Sequence, residues 1–195
     1  MDHSLQKAAQ RKAGIAARRA LSAAARSAAD AALCRRIAAL NCFRNARTLL
    51  AYAAFGGEAD LSALLAEAVR QGKTVAYPIC SAGFTLTAAV PGPDGWEVGA
   101  YGIRTPIPEQ AQLLPPEALD LVLVPCTAFD AACRRVGMGK GYYDRYLPRC
   151  RNAVLLGAAF EAQRVEQAAV DAHDQRLDGF VTEERIYRGT DEFEL

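Results

Sequence analysis

The run LDLVLVP at 119–125 constrains the fold more than any other stretch of the chain. Apolar residues stand at successive positions, so a strand built from it buries both faces and belongs in the middle of a covered sheet. TLLAYAA (48–54), TVAYP (74–78), FTLTAAV (84–90) and AVLLGAAF (153–160) also have strand length, and GFVTEERIY (179–187) closes the series. Helical patterns separate them. Residues 4–41 read as one or two Ala- and Arg-rich helices with apolar positions at Leu5, Ala8, Ala9 and Ile15, then Leu33, Ile37 and Leu40, and Ser22 or Ser27 can cap the second. Asp60 is placed to cap a helix carrying Leu61, Leu64, Leu65, Ala68 and Val69 on one face and ending at Gly72. A short helix is expected from about Tyr142 to Cys150. This alternation predicts an α/β fold with a largely parallel sheet and helices on both faces. With 195 residues, no repeat and no long linker, a single domain spanning 1–195 is expected, residues 1–41 being basic helices packed on its body.

Charge is unevenly spread. Residues 1–47 hold ten Lys/Arg against Asp2 and Asp30, a balance of +8 in a chain whose total is +1. Such a segment binds nucleic acid, supplies cations to a small anion, or is a solvated helical face. Six cysteines without a CxxC pair read as small buried residues in a reducing cytosol. The polar start MDHSLQKAAQRK and the shortness of every apolar run lead to the expectation of a soluble, cytoplasmic protein without a signal peptide or membrane span.

Several catalytic templates are excluded. Histidine occurs only at 3 and 173, so there is no HExxH motif or His-rich metal site; GxSxG is absent, and a Ser-His-Asp triad would rest on His173 alone. The most crowded stretch is VGMGKGYYDRYL (136–147), with glycines at 137, 139 and 141. It is neither a Walker A loop, since Gly141 follows Lys140, nor a dinucleotide fingerprint, since Tyr142 stands where GxGxxG needs glycine. Alternate glycines let backbone N–H groups approach an anion, and the start of the next helix adds a positive dipole. Lys140, one of four lysines among nineteen arginines, lies in this loop and Arg135 precedes it, which favours a polyphosphate over a plain turn. Asp144 suits the first turn of the helix on dipole grounds and equally suits magnesium, with Asp174 and Asp178 as possible companions. Of Tyr142 and Tyr143, one can pack while the other lines a site. Tyr101 is either a platform for a flat heterocycle or a loop aromatic over the core, and Glu58 is either a solvated loop residue or a ligand group at a strand's carboxyl end.

LVPCTAFDAACRRVGMGKGYYDRYL (123–147) resembles the signature of the 5-formyltetrahydrofolate cyclo-ligase (methenyltetrahydrofolate synthetase) family. KAAQR (7–11), FGGEAD (55–60), GKTVAYP (72–78), YGIRTP (101–106) and HDQRLDGFVTEERIY (173–187) match further blocks in the same order. The resemblance implies a three-layer α/β/α fold of the sugar-isomerase and CoA-transferase-like group, and an ATP- and Mg²⁺-dependent ring closure of 5-formyltetrahydrofolate to 5,10-methenyltetrahydrofolate through a phosphorylated formyl group. By the same resemblance Lys7, Arg11, Arg135, Gly137, Met138, Gly139, Lys140, Gly141 and Tyr142 bind ATP. Phe55, Glu58, Tyr101 and Tyr143 bind the folate, Asp144 and Asp174 hold magnesium, and Lys140, Arg135 and Tyr143 are catalytic. It implies a monomer acting on small molecules, with no nucleic-acid or membrane partner. Cys126 and Cys133 depart from the pattern, standing where the family often has glycine. Rival readings are a paralogue acting on another formylated heterocycle and a non-catalytic nucleotide- or nucleic-acid-binding protein.

Overall fold

The computed structural model describes residues 3–99 and 102–189. Three helices open the chain: α1 (His3–Ala20), α2 (Ala23–Ala39) and α3 (Asn41–Asn45). Then come β1 (Thr48–Leu50), α4 (Ser62–Arg70), β2 (Thr74–Ser81), β3 (Thr85–Val90), β4 (Trp96–Val98), β5 (Arg104–Pro106), β6 (Gln112–Leu114) and β7 (Leu121–Pro125). The last third holds β8 (Ala128–Phe129), β9 (Arg135–Val136), α5 (Tyr142–Tyr146), β10 (Val154–Ala158), β11 (Gly179–Val181) and β12 (Ile186–Arg188).

Among the described residues one sheet has eight strands in the order β12-β11-β10-β7-β1-β2-β3-β6. The five from β11 to β2 are mutually parallel, and antiparallel strands complete both edges. β7 lies near the centre, as its unbroken apolar run requires, with Leu123 beside Leu156 of β10 and Leu121 beside Leu49 of β1. Alternate residues of β7 serve opposite cores. Leu121 and Leu123 join Leu33, Ile37, Phe43, Leu61 and Leu65 under α2–α4. Val122 and Val124 join Phe129, Tyr146, Leu147 and Phe180 under α5 and the β8–β9 hairpin. Helices therefore cover both faces of a mainly parallel sheet, the expected α/β arrangement.

Local details differ from expectation for identifiable reasons. The first strand stops at Leu50, because residues 51–58 leave the sheet to build a turn over its carboxyl edge. The closing segment from 179 is a tight hairpin of two short strands, β11 and β12. Ser22 caps α2, its Oγ accepting from Ala25 N at 3.2 Å. The apolar stripe on α2 is correct: Leu33 and Ile37 are fully buried. On α4, Val69 is exposed, while Leu64, Leu65 and Ala68 face the core. On α1 the apolar reading fails. Leu5 is 71% exposed and Ala8 and Ala9 face solvent, whereas the docked face is Lys7, Gln10, Arg11, Gly14 and Arg18. This helix is held by polar contacts, which hydrophobic periodicity does not register.

Gly14 shows how close that docking is. A Cβ there would lie 1.9 Å from the Thr127 carbonyl oxygen, on the segment leaving β7. Alanine in a helix interior ordinarily gains ~1 kcal/mol over glycine. Here Gly14→Ala is expected to lower the unfolding free energy by ~1–3 kcal/mol, as overpacking does. Urea denaturation measures it, and a gain in stability contradicts the close approach.

Candidate active site

The carboxyl ends of the parallel strands share one edge of the sheet, where open α/β folds bind ligands. From β1 the chain runs through Ala51 to the turn holding Phe55, Gly56, Gly57 and Glu58. From β7 it passes Cys126 and Thr127 into the β8–β9 hairpin, which delivers the glycine stretch to α5. Asp130 organises that hairpin. It is fully buried, its Oδ1 accepts from Ala132 N (3.0 Å) and Arg134 N (3.1 Å), and its Oδ2 from Arg134 Nε (2.7 Å) and Ala168 N (2.9 Å).

The loop 137–141 is braced by cations. Arg11 Nε donates to the Gly137 carbonyl at 2.8 Å, and one Arg145 nitrogen donates to the carbonyls of Lys140 (2.9 Å) and Gly141 (3.0 Å). Gly139 has φ +92°, a conformation that strains any side chain, and the Arg11 guanidinium lies 3.0 Å from where its Cβ would be, so a larger residue would also press on Arg11. Met138 and Lys140 are exposed on the same loop. Gly141 leads into α5, whose Tyr142 ring meets Phe84 edge-on at 5.9 Å. An open groove of about 500 Å³ runs along α1 beside Arg11, lined also by Lys12, Ile15 and Arg19.

Behind the loop, Arg135 is buried, 2.7 Å from Asp144 Oδ1, and its guanidinium carbon sits 5.9 Å from the centre of the Tyr143 ring. Among the described residues, Arg135 Nε and the hydroxyls of Tyr143 and Tyr146 are buried without a hydrogen-bond partner, and the first two flank each other behind the glycine loop. Burial pushes the Tyr143 hydroxyl well above the usual tyrosine range, with Cys80 and Glu58 adding to the effect. Orphaned buried donors beside a glycine loop are what a ligand would satisfy.

Glu58 belongs to the same neighbourhood. Burial pushes its carboxyl up to about 7, against the pull of Arg18 and the Phe55 N–H, which donates to Oε2 at 3.3 Å. Lys7 bridges two carboxylates, with Nζ 2.6 Å from Asp171 Oδ2 and also bonded to Asp174. Asp144 Oδ1 accepts from the N–H of Gln175, next to Asp174 in the chain, at 3.2 Å. The structure thus brings Asp144 and Asp174 into one region, each already matched by a cation. Asp178 does not join them: its Oδ2 accepts from Leu155 N at 2.7 Å, at the amino end of β10. His173 is exposed, as expected of a surface histidine. Tyr101 lies outside the described residues. The other site residues read from the sequence lie on α1, on the turn after β1, and on β9, the glycine loop and α5, with Asp174 tied to α1 through Lys7.

Two residues that matter here were not assigned from sequence. Arg18 continues the stripe Lys7, Arg11, Gly14 at spacings of four, three and four, which was there to be read. Asp130 stands inside the quoted AFD segment without a role that sequence alone gives it.

Comparison with known proteins follows the same lines. The model of the 5-formyltetrahydrofolate cyclo-ligase family matches residues 3–183. The 5-formyltetrahydrofolate cyclo-ligase of Escherichia coli K12 is 31% identical over 147 residues, covering 73% of this chain and 81% of that protein. The mouse (Mus musculus) enzyme of the same name is 28% identical over 180 residues, covering 85% and 88%. The solved 5,10-methenyltetrahydrofolate synthetase of Aquifex aeolicus superposes with a TM-score of 0.84 at 32% identity, covering 97% of this chain and 95% of that one. The chain belongs to the 5-formyltetrahydrofolate cyclo-ligase family. It is therefore a ligase, and membership implies an ATP-dependent reaction.

Of the two departures from the family pattern, Cys133 has a physical explanation. It is fully buried at φ +60°, in the left-handed region where glycine is free of strain. Burial pushes its thiol up to about 11 and that of Cys126 up to about 12, so neither is a ready nucleophile at neutral pH. Cys133→Val, apolar but β-branched, is expected to destabilise by ~2 kcal/mol or more, and Cys133→Gly by less. Denaturant titration of both ranks them; valine tolerated better than glycine contradicts the strained backbone.

Proposed function

We propose that the chain, as a single domain spanning 1–195, converts 5-formyltetrahydrofolate to 5,10-methenyltetrahydrofolate at the carboxyl edge of the sheet, with ATP becoming ADP and phosphate. The observation that carries this reading is the junction of two half-sites. A cation-braced glycine loop suited to a triphosphate meets a buried carboxylate suited to a pterin, and Arg135 and Tyr143 stand between them.

Lys7, Arg11, Arg135, Lys140 and the backbone of Gly137, Met138, Gly139, Gly141 and Tyr142 hold the nucleotide. The arginines tie loop carbonyls back, which orients the peptides around the anion. Glu58, with Phe55, Tyr101 and Tyr143, holds the folate; as a carboxylate it accepts from neighbouring N–H groups on a pterin edge. Asp144 and Asp174 are hard oxygen donors in a pocket that already stabilises positive charge, which fits magnesium, and the ion would neutralise phosphate charge there.

The formyl oxygen attacks the γ-phosphorus and ADP departs. The second folate nitrogen then attacks the formyl carbon and loses its proton, and phosphate leaves with the formyl oxygen. Such a reaction needs positioning and charge neutralisation rather than a nucleophilic side chain. The catalytic residues are accordingly Arg135 and Lys140, which meet the transferred phosphoryl group, and Tyr143, which borders the formyl group.

The nucleic-acid alternative is disfavoured by how the basic segment is used. Lys7, Arg11, Arg18, Arg26 and Arg36 are engaged inside the protein rather than arrayed toward a backbone of phosphates. Cys126, Cys133 and Cys150 are buried as expected, whereas Cys34 and Cys42 are half-buried and Cys80 is exposed; six free cysteines support work in a reducing cytosol, and no helix among the described residues is long and apolar enough to cross a membrane. In this reading the enzyme works as a monomer.

Absorbance of the methenyl product tests it. Product should form from 5-formyltetrahydrofolate only with ATP and Mg²⁺, and Lys140→Ala should raise the KM for ATP about tenfold or abolish turnover while the far-UV spectrum is unchanged. No product, or equal product without ATP, sinks the assignment; unchanged ATP kinetics removes Lys140 from the site.

A further inference from the structure

Arg18 is a fully buried arginine, only 1% exposed. A buried guanidinium is tolerated only where its charge and donors are matched. Arg18 Nε donates to the Gly56 carbonyl at 3.2 Å, one terminal nitrogen reaches the Cys126 carbonyl at 3.5 Å, and the same nitrogen lies 3.7 Å from Glu58 Oε1. One side chain of α1 therefore ties the turn after β1, the segment after β7 and the Glu58 carboxylate to a single point. From α2, Arg26 donates to the Arg18 carbonyl at 2.7 Å, and its guanidinium lies against Gly57, 2.6 Å from where a Cβ would be. The turn carrying Glu58 is thus clamped from two helices.

We infer that Arg18 is a positioning residue of the folate pocket, which fixes the Glu58 turn through its fork of donors and supplies the buried positive charge opposite the Glu58 carboxylate. The inference rests on the reading of Glu58 as the folate partner and adds to it a residue that makes that carboxylate usable. The titratable and charged groups facing Glu58 come from four places: Arg18 on α1, Tyr52 after β1, Cys126 after β7 and Tyr143 on α5. Three are neutral at physiological pH, so Arg18 supplies the charge that favours the anion. Burial alone would protonate Glu58 further, and a protonated carboxyl offers a donor where a pterin edge needs an acceptor. With Arg18 in place the carboxyl titrates near 7, so the anion dominates above that pH.

The test uses the full-length protein with Arg18→Met, Arg18→Lys and Glu58→Gln, measuring KM for ATP and kcat/KM for 5-formyltetrahydrofolate across pH. In the wild type kcat/KM should fall with acid below pH about 7, the value of the free enzyme. Arg18→Met should raise the KM for 5-formyltetrahydrofolate about tenfold, leave the KM for ATP within about twofold, and move the acid limb up by about one pH unit or more. Arg18→Lys keeps charge but not the fork, so it should raise the folate KM while holding the limb within about half a pH unit of wild type. A purely structural Arg18 would move both KM values together and leave the limb in place, which overturns the inference. Should Arg18→Met fail to fold, an Arg18→Lys variant with wild-type folate KM also overturns it. Glu58→Gln with unchanged folate KM removes the reading of Glu58 itself; a sensitive Glu58→Gln beside an insensitive Arg18→Met removes Arg18 alone.

Discussion

The site depends on a helix docked by its polar face. Lys7, Arg11, Gly14 and Arg18 form one stripe of α1, and each touches a different part of the carboxyl edge: Asp171 and Asp174, the Gly137 carbonyl, the Thr127 carbonyl, and the turn of Gly56 and Glu58. With 1.5 Å of rise per residue, the eleven-residue span from Lys7 to Arg18 is ~16 Å, long enough to run from a phosphate site to a pterin site. A loop carrying the same cations would pay their ordering entropy separately, whereas a helix fixes their spacing before any ligand arrives.

How that helix is held explains what was legible beforehand. The central strand β7 was readable because a continuous apolar run has few homes in a soluble fold, and the cores on either side of Leu121–Pro125 follow from period-two alternation. The face of α2 was readable for the same reason. On α1 Leu5, Ala8 and Ala9 are exposed and Ile15 is only half-buried, so the usual signal pointed the wrong way; carbonyl partners as distant as Thr127 and Gly137 belong to tertiary structure and leave no local periodic mark. The hairpin at 179–188 leaves no local mark, because its turn, residues 182–185, lacks the Gly or Asn that advertises a tight turn.

Site legibility follows a similar division. Alternating glycines with a lysine constrain backbone and charge locally, so the anion loop could be argued from residues 136–147 alone, and the resemblance supplied the nucleotide and the folate. Roles that depend on long-range partners were out of reach. Asp178 accepts from Leu155 N rather than joining a metal site, and the left-handed backbone at Cys133 accounts for the family's glycine there. The orphaned donors of Arg135 and Tyr143 arise only once the β8–β9 hairpin places one residue above the other.

The central claim is that α1 reads both substrates, its first half with the nucleotide and its last turn with the folate. Hydrogen exchange on the wild-type protein tests it most directly. A non-hydrolysable ATP analogue with Mg²⁺ should slow exchange at 137–141 and in α1 around Lys7 and Arg11, and 5-formyltetrahydrofolate should slow it at 55–58 and in α1 around Arg18. Protection by either ligand that leaves α1 unchanged would contradict the account.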